Sequence, residues 1–301
     1  MGKLVATARL ARPKQWVKNI FVFTAIIFSG RVTDLDSVLH ALIAFCAFCA
    51  ASSAIYFLND FRDVKDDRRH PTKSSRPLAS GALPLWFGPA GFALFAAASL
   101  MVGFRWLNNT SGLVIGVYLV INLLYSLGFK HMVIIDVLLI AAGFVLRILA
   151  GAAAISVMPS TWLILCAVTI SLFLGFTKRR AEVVLLGDKA KEHRRVLAHY
   201  NTAFLDQMIS IVTAATVVCY ILYTVDTRTV DLVGSRLLIL SVPLVLYGIF
   251  RYLYLVYHSD SGGDPTRTVF TDVPLLITGA LWGALCTVVI LFGDKVLEAI
   301  Y

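Results

Sequence analysis

Three aspartates stand close together at the end of a long apolar run, within Asn59-Asp60-Phe61-Arg62-Asp63-Val64-Lys65-Asp66-Asp67. Asp60, Asp63 and Asp67 are spaced i, i+3 and i+7, which places them on one face of a helix. Carboxylates stacked this closely repel one another unless a cation lies between them, and hard oxygen ligands suit Mg²⁺. The spacing predicts a Mg²⁺ site. The alternative, a solvated helix end neutralised by neighbouring bases, does not explain why the acids share a face.

Basic residues follow these acids in Arg68-Arg69-His70-Pro71-Thr72-Lys73-Ser74-Ser75-Arg76-Pro77-Leu78-Ala79-Ser80-Gly81. Acids followed by many bases suit a site that holds a metal and a phosphate together. We therefore expect Lys73 and Arg76 to bind phosphate. For Arg68 and Arg69, ordinary anchoring of the chain at the membrane surface is an equally good explanation.

A second polar segment begins with Thr177-Lys178-Arg179-Arg180-Ala181-Glu182. Lys178 lies one helical turn before Glu182 and could pair with that carboxylate or with a phosphate. Charges also occur in the apolar run 132–154, where a central charge costs roughly 2.5 to 3.5 kcal/mol. Asp136 and Arg147 are eleven residues apart there, about 16 Å along a helix, which is too far for direct pairing. We expect site roles for Asp136 and nearby Lys130, whereas Arg147 fits a structural partner as well as a phosphate ligand.

The composition indicates an integral membrane protein. Of the 301 residues, 58% are apolar and 15% are charged, against roughly 25% charged in soluble domains, and the mean hydropathy is +0.80. These values exclude a disordered chain, a disulfide-rich secreted scaffold and an ordinary cytosolic enzyme. The net charge of +9 does not indicate a nucleic-acid partner, because the bases lie between apolar runs.

Nine apolar runs predict nine transmembrane helices in one all-α domain spanning 1–301. The basic residues are strongly asymmetric: 21 of them fall on the side of the N-terminus and 5 on the other side. This asymmetry predicts a cytoplasmic N-terminus, with cytoplasmic motif loops at 59–81 and 177–200. The predicted runs are 16–30, 38–58, 84–106, 110–127, 132–154, 159–176, 203–225, 236–257 and 272–293.

The patterns N-D-x-x-D-x-x-x-D at Asn59 to Asp67 and H-P-T-K-x-x-R-P-x-x-x-G at His70 to Gly81 resemble the UbiA superfamily of intramembrane prenyltransferases. The resemblance implies a helical bundle with a central cavity, open sideways to lipid, in which Mg²⁺ holds a diphosphate. Most of the superfamily carries a second acidic motif, D-x-x-x-D, after helix six. Here Lys178 and Arg179 stand where acids are expected, which favours direct capture of phosphate by side chains.

This departure is similar to the decaprenyl-phosphate phosphoribosyltransferase branch, whose members carry K-R-x-A-E at this place. The segment Arg12 to Asn19, and Gly128 to His131 followed by Asp136, are also similar to that branch. The resemblance implies transfer of 5-phosphoribose from phosphoribosyl diphosphate (PRPP) to a polyprenyl phosphate, with release of diphosphate. It further implies a role in making decaprenylphosphoryl arabinose for cell-wall arabinan.

We therefore predict an Mg²⁺-dependent, multi-pass enzyme of the inner (plasma) membrane, with its active site facing the cytoplasm; a homo-oligomer is compatible with this prediction. One alternative is an aromatic prenyltransferase that uses a prenyl diphosphate, and the other is a non-enzymatic transporter of an anionic lipid or metabolite. The predicted catalytic residues are Asp60, Asp63, Lys178 and Glu182, and the metal ligands are Asp60, Asp63 and Asp67. The predicted substrate-binding residues are Lys14, Lys18, Asn59, Lys73, Arg76, Lys130, Asp136, Arg147 and Arg179.

Overall fold

The computed structural model describes residues 2–69, 73–186, 195–258, 268 and 271–300. All regular elements in these ranges are helices. Eight helices there are long and apolar enough to cross a membrane. His70, Pro71 and Thr72 of the first motif, and residues 187–194 of the second polar segment, lie outside the described residues.

The helices are numbered in chain order. They are α1 (Lys3–Ala11), a 3₁₀ segment (Pro13–Phe23), α2 (Thr24–Phe28), α3 (Leu35–Arg62), α4 (Val64–Arg69), α5 (Phe87–Val102), a π-helical turn (Gly103–Leu107), α6 (Asn109–Leu127), α7 (Ile135–Ala154), α8 (Thr161–Leu186), α9 (Thr202–Val225), α10 (Thr227–Val233), α11 (Val242–His258) and α12 (Val273–Ile300). Shorter 3₁₀ turns occupy Arg31–Thr33, Lys73–Ser75, Phe129–His131, Arg195–His199 and Leu237–Ser241.

The first predicted run, 16–30, does not form a long helix and is not confirmed as a span. It folds as the 3₁₀ segment followed by the five-residue α2. In a 3₁₀-helix, residues three apart lie on one face, and this repeat aligns Trp16, Asn19 and Val22. Trp16 donates to the hydroxyl of Ser53 (3.0 Å), and Asn19 donates to that of Ser52 (3.1 Å). Side-chain bonds to α3 therefore favour the tighter helix.

Side-chain hydrogen bonds mark the residues at which two of the long helices begin. Asp34 precedes α3 and accepts from the backbone N–H of Ser37 (3.2 Å), while Asn201 precedes α9 and accepts from that of Phe204 (2.7 Å). These side chains satisfy amide groups that have no partner inside the helix. The remaining eight predicted runs each fold as one of the long helices.

The chain divides into two compact units. The first comprises residues 1–27, 31–127 and 146–158, and the second comprises 28–30, 128–145 and 159–301. Helix α7 contributes its first half to the second unit and its second half to the first. The prediction of one domain over 1–301 stays a prediction.

Each unit has its own apolar core. In the first, small residues of α3 such as Ala47 and Ala51 pack with Phe48 and with Ile115 of α6. Gly151 of α7 lies so close to the carbonyl oxygen of Val22 that a Cβ atom there would collide with it. In the second unit, Phe173 of α8 packs with Leu205 of α9.

Candidate active site

The three aspartates of the first motif lie where α3 gives way to α4. Asp60 is buried in the last turn of α3, and Asp67 is buried in α4. Asp63 is half-buried and is the residue at which the two helices separate, although the amide of Asp67 still donates to its carbonyl oxygen (2.8 Å). The predicted loop 59–81 is therefore helical through Arg69, because the helical hydrogen bonds continue past the apolar run.

Arg76 reaches these aspartates from the short segment that follows. Leu78 is fully buried and anchors the segment against Phe57 and Val64. The amide of Arg76 donates to the carbonyl oxygen of Lys73 (2.9 Å). The segment ends at Gly81, whose φ of +78° is a conformation that side chains other than glycine rarely adopt.

The result is a cluster of two carboxylates and two guanidinium groups in the first unit. Nη1 of Arg76 donates to Oδ2 of Asp67 (2.7 Å) and to Oδ1 of Asp60 (3.2 Å). Arg12 also pairs with Oδ1 of Asp60. The aspartate side chains are at most 5% exposed, whereas both arginines are 27% exposed. We call this group the acidic cluster; its formal charges balance.

The donor chemistry of the acidic cluster fits a divalent cation, because two buried carboxylates converge on one positive group. Within the residues that the structure describes, however, no group of three or more His, Cys, Asp or Glu is placed to hold a metal. The predicted juxtaposition of Asp60 and Asp67 is confirmed by their shared bond to Arg76. The three-aspartate ligand set stays a prediction, since the helix break falls at Asp63.

Arg147 forms a separate buried network in the first unit. Its Nε donates to Oδ1 of Asn19 (2.8 Å), and its Nη2 donates to the hydroxyl of Tyr118 (3.2 Å). The guanidinium carbon also lies 5.1 Å from the ring centroid of Tyr118 and 5.8 Å from that of Phe48. Arg147 thus links α7 to the 3₁₀ segment and α6. Of its two predicted roles, structural partner and phosphate ligand, these contacts fit the structural one.

The other candidates of the first unit lie near these clusters or at its surface. The side-chain oxygen of Asn59 accepts from the hydroxyl of Ser126 (2.5 Å). Lys14 is exposed on the 3₁₀ segment, and Lys18 and Lys73 are half-buried. Their predicted contacts with substrate remain untested.

The second unit brings Asp136, Arg179, Glu182 and Tyr200 together. Nε of Arg179 donates to Oδ2 of Asp136 (2.8 Å), and the same guanidinium pairs with Glu182. The hydroxyl of Tyr200 donates to Oδ1 of Asp136 (2.8 Å). The side chain of Arg179 is only 2% exposed and that of Asp136 is fully buried. We call this group the buried cluster.

Tyr200 is held as a hydrogen-bond donor in the buried cluster. Burial raises the pKa of its phenol, the backbone N–H of Ile134 lowers it by a hydrogen bond of 2.7 Å, and the charge of Asp136 raises it further. The phenol therefore stays protonated at neutral pH, and its hydrogen bond stabilises the carboxylate of Asp136.

Two details of the second motif differ from the sequence-based prediction. Residues 177–186 are the last turns of α8 rather than a loop, because apolar residues still pack along that helix. Glu182 pairs with Arg179, three residues before it, instead of with Lys178. Lys178 and Lys130 are both half-buried.

Sequence reasoning missed three residues that organise these clusters. Arg12 begins the segment Arg12 to Asn19, and a base directly before Pro13 in that segment is a signal that could have been used. Asn19 could have been found as an amide in an apolar run, where polar groups need partners. Tyr200 carries no local signal, because the contact with Asp136 joins residues 64 positions apart.

These features define a class of protein. It is a membrane protein whose described elements are helices and whose acids and bases gather at the ends of the long helices. The UbiA prenyltransferase family matches residues 20–273. The chain therefore belongs to this family.

Curated relatives are similar along most of the chain. A decaprenyl-phosphate phosphoribosyltransferase of Corynebacterium glutamicum is 37% identical over 90% of this chain and 82% of its own length. The protein of the same name from Mycolicibacterium smegmatis is 33% identical over 91% and 89%. The one from Mycobacterium tuberculosis H37Rv is 32% identical over 97% of both chains.

Solved structures share the fold. A UbiA homologue from Archaeoglobus fulgidus bound to GPP and Mg²⁺ superimposes with a TM-score of 0.73 at 20% identity, covering 95% of this chain and 99% of that one. The same homologue bound to DMAPP and Mg²⁺ gives a TM-score of 0.72 at 20% identity, covering 94% and 98%.

Proposed function

We propose that the protein transfers 5-phosphoribose from PRPP to decaprenyl phosphate and releases diphosphate, on the route to decaprenylphosphoryl arabinose for cell-wall arabinan. The observation that carries the proposal is the second motif. There, the acids that the superfamily uses are replaced by Lys178 and Arg179, and the single carboxylate of Glu182 is paired with Arg179. The similarity to curated phosphoribosyltransferases supports the same conclusion.

The acidic cluster is the proposed site for the leaving diphosphate. Asp60, Asp63 and Asp67 would hold Mg²⁺, which when bound offsets the negative charge of a departing diphosphate. Arg76 and Lys73 bind diphosphate oxygens. Because its side chain is 27% exposed, Arg76 can be reached by a phosphate oxygen that replaces one of its carboxylate partners.

In the transfer, the bond between ribose C1 and the diphosphate oxygen breaks and C1 develops positive charge. A phosphate oxygen of the lipid forms the new bond to C1 from the opposite face, so the configuration at C1 inverts. The acceptor phosphate is already anionic near neutral pH, and no general base is needed. Lys178 and Lys130 would bind the remaining phosphate groups, with Lys14 and Lys18 adding positive charge at the N-terminal segment. Arg179, although predicted to bind substrate, is 2% exposed and paired with Asp136 and Glu182, and would instead hold the end of α8.

Glu182 and Asp136 are proposed as residues that orient these bases. Both carboxylates hold the guanidinium of Arg179, and this arrangement fixes the last turns of α8, where Lys178 lies. Asn59 likewise fixes the end of α3 through its bond with Ser126.

We further propose a ninth membrane crossing formed by the 3₁₀ segment and α2, with the N-terminus and the active site on the cytoplasmic face of the plasma membrane. The eleven residues of the 3₁₀ segment span about 22 Å at roughly 2.0 Å per residue, and α2 adds about 7.5 Å. Their sum matches a hydrocarbon core of about 30 Å. A cysteine at Gly2 should react with an impermeant thiol reagent from the cytoplasmic side and one at Val32 from the opposite side.

The test of the proposed reaction uses purified protein in detergent with Mg²⁺ and two substrate pairs. One tube contains PRPP and decaprenyl phosphate; the other contains a prenyl diphosphate and 4-hydroxybenzoate. Diphosphate release and the lipid product are followed in both. We expect product in the first tube alone. Product in the second alone would identify an aromatic prenyltransferase, and no product in either would favour a transporter.

A further inference from the structure

An apolar groove lies in the second unit between α8, α11 and α12. Its volume is about 280 Å³, slightly below the range of pockets that enclose a whole small molecule. The lining side chains are aliphatic or aromatic, with Thr278 as the exception. Because all three helices are long and apolar enough to cross a membrane, the groove is suited to hydrocarbon rather than to water.

One end of the groove lies close to the second motif. Leu174 lines the groove on α8 and precedes Lys178 by four residues, about 6 Å along the helix. Phe173 and Tyr252 lie side by side at this end, with ring centroids 5.4 Å apart. An ion pair between Arg251 and Asp272 (2.8 Å) joins α11 to the start of α12 here, and it holds the pKa of Asp272 below its usual value.

Trp282 lies at the other end of the groove. This residue lies about two turns beyond Leu275 on α12, and both line the groove. Its indole N–H donates to the hydroxyl of Tyr220 (2.7 Å), which is bonded in turn to the hydroxyl of Ser241 (2.7 Å). These bonds fix the indole at this end of the groove.

We propose that this groove binds the part of the isoprenoid chain next to the phosphate of the polyprenyl phosphate acceptor. The inference rests on the proposed function, which places an anionic lipid headgroup at Lys178. A chain that starts at Lys178 meets the groove one turn further along α8. The acyl chain of an ordinary phospholipid has similar chemistry, but the groove begins beside a base assigned to the acceptor and has the hydrogen-bonded Trp282 at its other end.

Two glycines offer a matched test of this assignment. Gly279 lines the groove on α12, and a Cβ atom there would meet no other atom within 4 Å. Gly283 lies one turn later on the same helix, also with no atom within 4 Å of an added Cβ, and it does not line the groove. Leucine at either position fits the helix, but only Gly279→Leu fills the groove.

The experiment measures KM for decaprenyl phosphate, KM for PRPP and kcat in the wild type, Gly279→Leu and Gly283→Leu, together with the thermal unfolding midpoint of each. We expect Gly279→Leu to raise KM for decaprenyl phosphate by about tenfold or more, as expected for a pocket that loses room for a few methylene groups. KM for PRPP and the unfolding midpoint should stay at wild-type values. The Gly283→Leu variant should behave as the wild type.

Direct binding of decaprenyl phosphate, measured by native mass spectrometry without PRPP, separates this inference from the proposed reaction. Weaker lipid binding by Gly279→Leu alone supports the groove even if the transfer reaction differs from the one proposed. Equal KM and equal lipid binding in both variants would overturn the assignment. So would a loss of bound phospholipid from Gly279→Leu with no change in decaprenyl phosphate binding, because the groove would then hold ordinary lipid.

Discussion

The acidic cluster of the first unit and the buried cluster of the second unit use the same residue types in different proportions. The first has two arginines for two aspartates, and each arginine side chain is 27% exposed. The second has one arginine for two carboxylates, and that arginine is 2% exposed. A partly exposed arginine can be reached by a substrate anion, whereas a fully buried arginine can leave its carboxylates only at the cost of uncompensated buried charge. The first cluster is therefore suited to exchanging ligands and the second to holding helices in place.

The largest expected effect comes from Asp60→Asn in the acidic cluster. This change removes the carboxylate that Arg12 and Arg76 share and one predicted Mg²⁺ ligand. We expect turnover to fall by about 10² to 10³-fold, as for loss of a group that stabilises charge in the transition state. Diphosphate release measures the effect, and Asp66→Asn, which alters an exposed neighbour on α4, serves as the control. Full activity in Asp60→Asn would refute the metal role.

Arg179→Met tests whether the buried cluster stabilises the fold by holding its helices together. The substitution leaves Asp136 and Glu182 without their shared cation. Breaking a buried pair in this way costs about 3 to 5 kcal/mol, so we expect a large decrease in the free energy of unfolding. Arg180→Met is the comparison, because the side chains of Arg180 and its partner Asp206 are 16% and 38% exposed, and a pair that is open to solvent on one side contributes closer to about 0 to 1 kcal/mol, the range of surface pairs.

Chemical denaturation in detergent distinguishes these two variants. Adding Asp136→Asn to Arg179→Met removes one unpaired charge and should restore part of the lost stability. Equal stability of Arg179→Met and Arg180→Met would contradict the contrast between the two clusters.

Arg76→Gln tests whether Arg76 gives up its carboxylate partners to a metal ion in the acidic cluster. Arg76 occupies the two carboxylates proposed for the metal, so it competes with a divalent cation. Removing it should tighten Mn²⁺ binding by about tenfold, the equivalent of about 1.4 kcal/mol, and should weaken diphosphate binding. Electron paramagnetic resonance of Mn²⁺ without substrate measures the first effect, and Arg69→Gln, which changes an exposed base on α4, is the control. Unchanged Mn²⁺ affinity would show that Arg76 does not compete.

Much of this architecture could be predicted from the sequence, and the exceptions have physical causes. Eight long helices follow from apolar runs, because a membrane requires internally satisfied backbone groups. The run 16–30 was predicted as a span but not as a 3₁₀ segment, because its helical type depends on bonds from Trp16 and Asn19 to α3. The approach of Asp60 to Asp67 follows from their i, i+7 spacing, because the hydrogen bond from the amide of Asp67 to Asp63 continues the helical pattern across the break between α3 and α4. The partners of Asp136 could not be predicted, because Tyr200 and Arg179 come from distant parts of the chain.

Glu182→Gln gives the smallest expected effect and tests whether the buried cluster contributes to catalysis. Its side chain is 24% exposed and acts on Lys178 only through Arg179, so we expect a two- to fivefold fall in kcat/KM, the equivalent of about 0.5 to 1 kcal/mol of transition-state stabilisation. Arg179 keeps Asp136 as a partner in this variant, and the free energy of unfolding should change little. Asp206→Asn, which removes the partner of Arg180, controls for loss of any acid near the motif. If Glu182→Gln and Asp206→Asn had the same kinetics as the wild type, Glu182 would have no part in orienting Lys178, and the role of the second motif would rest on its bases alone.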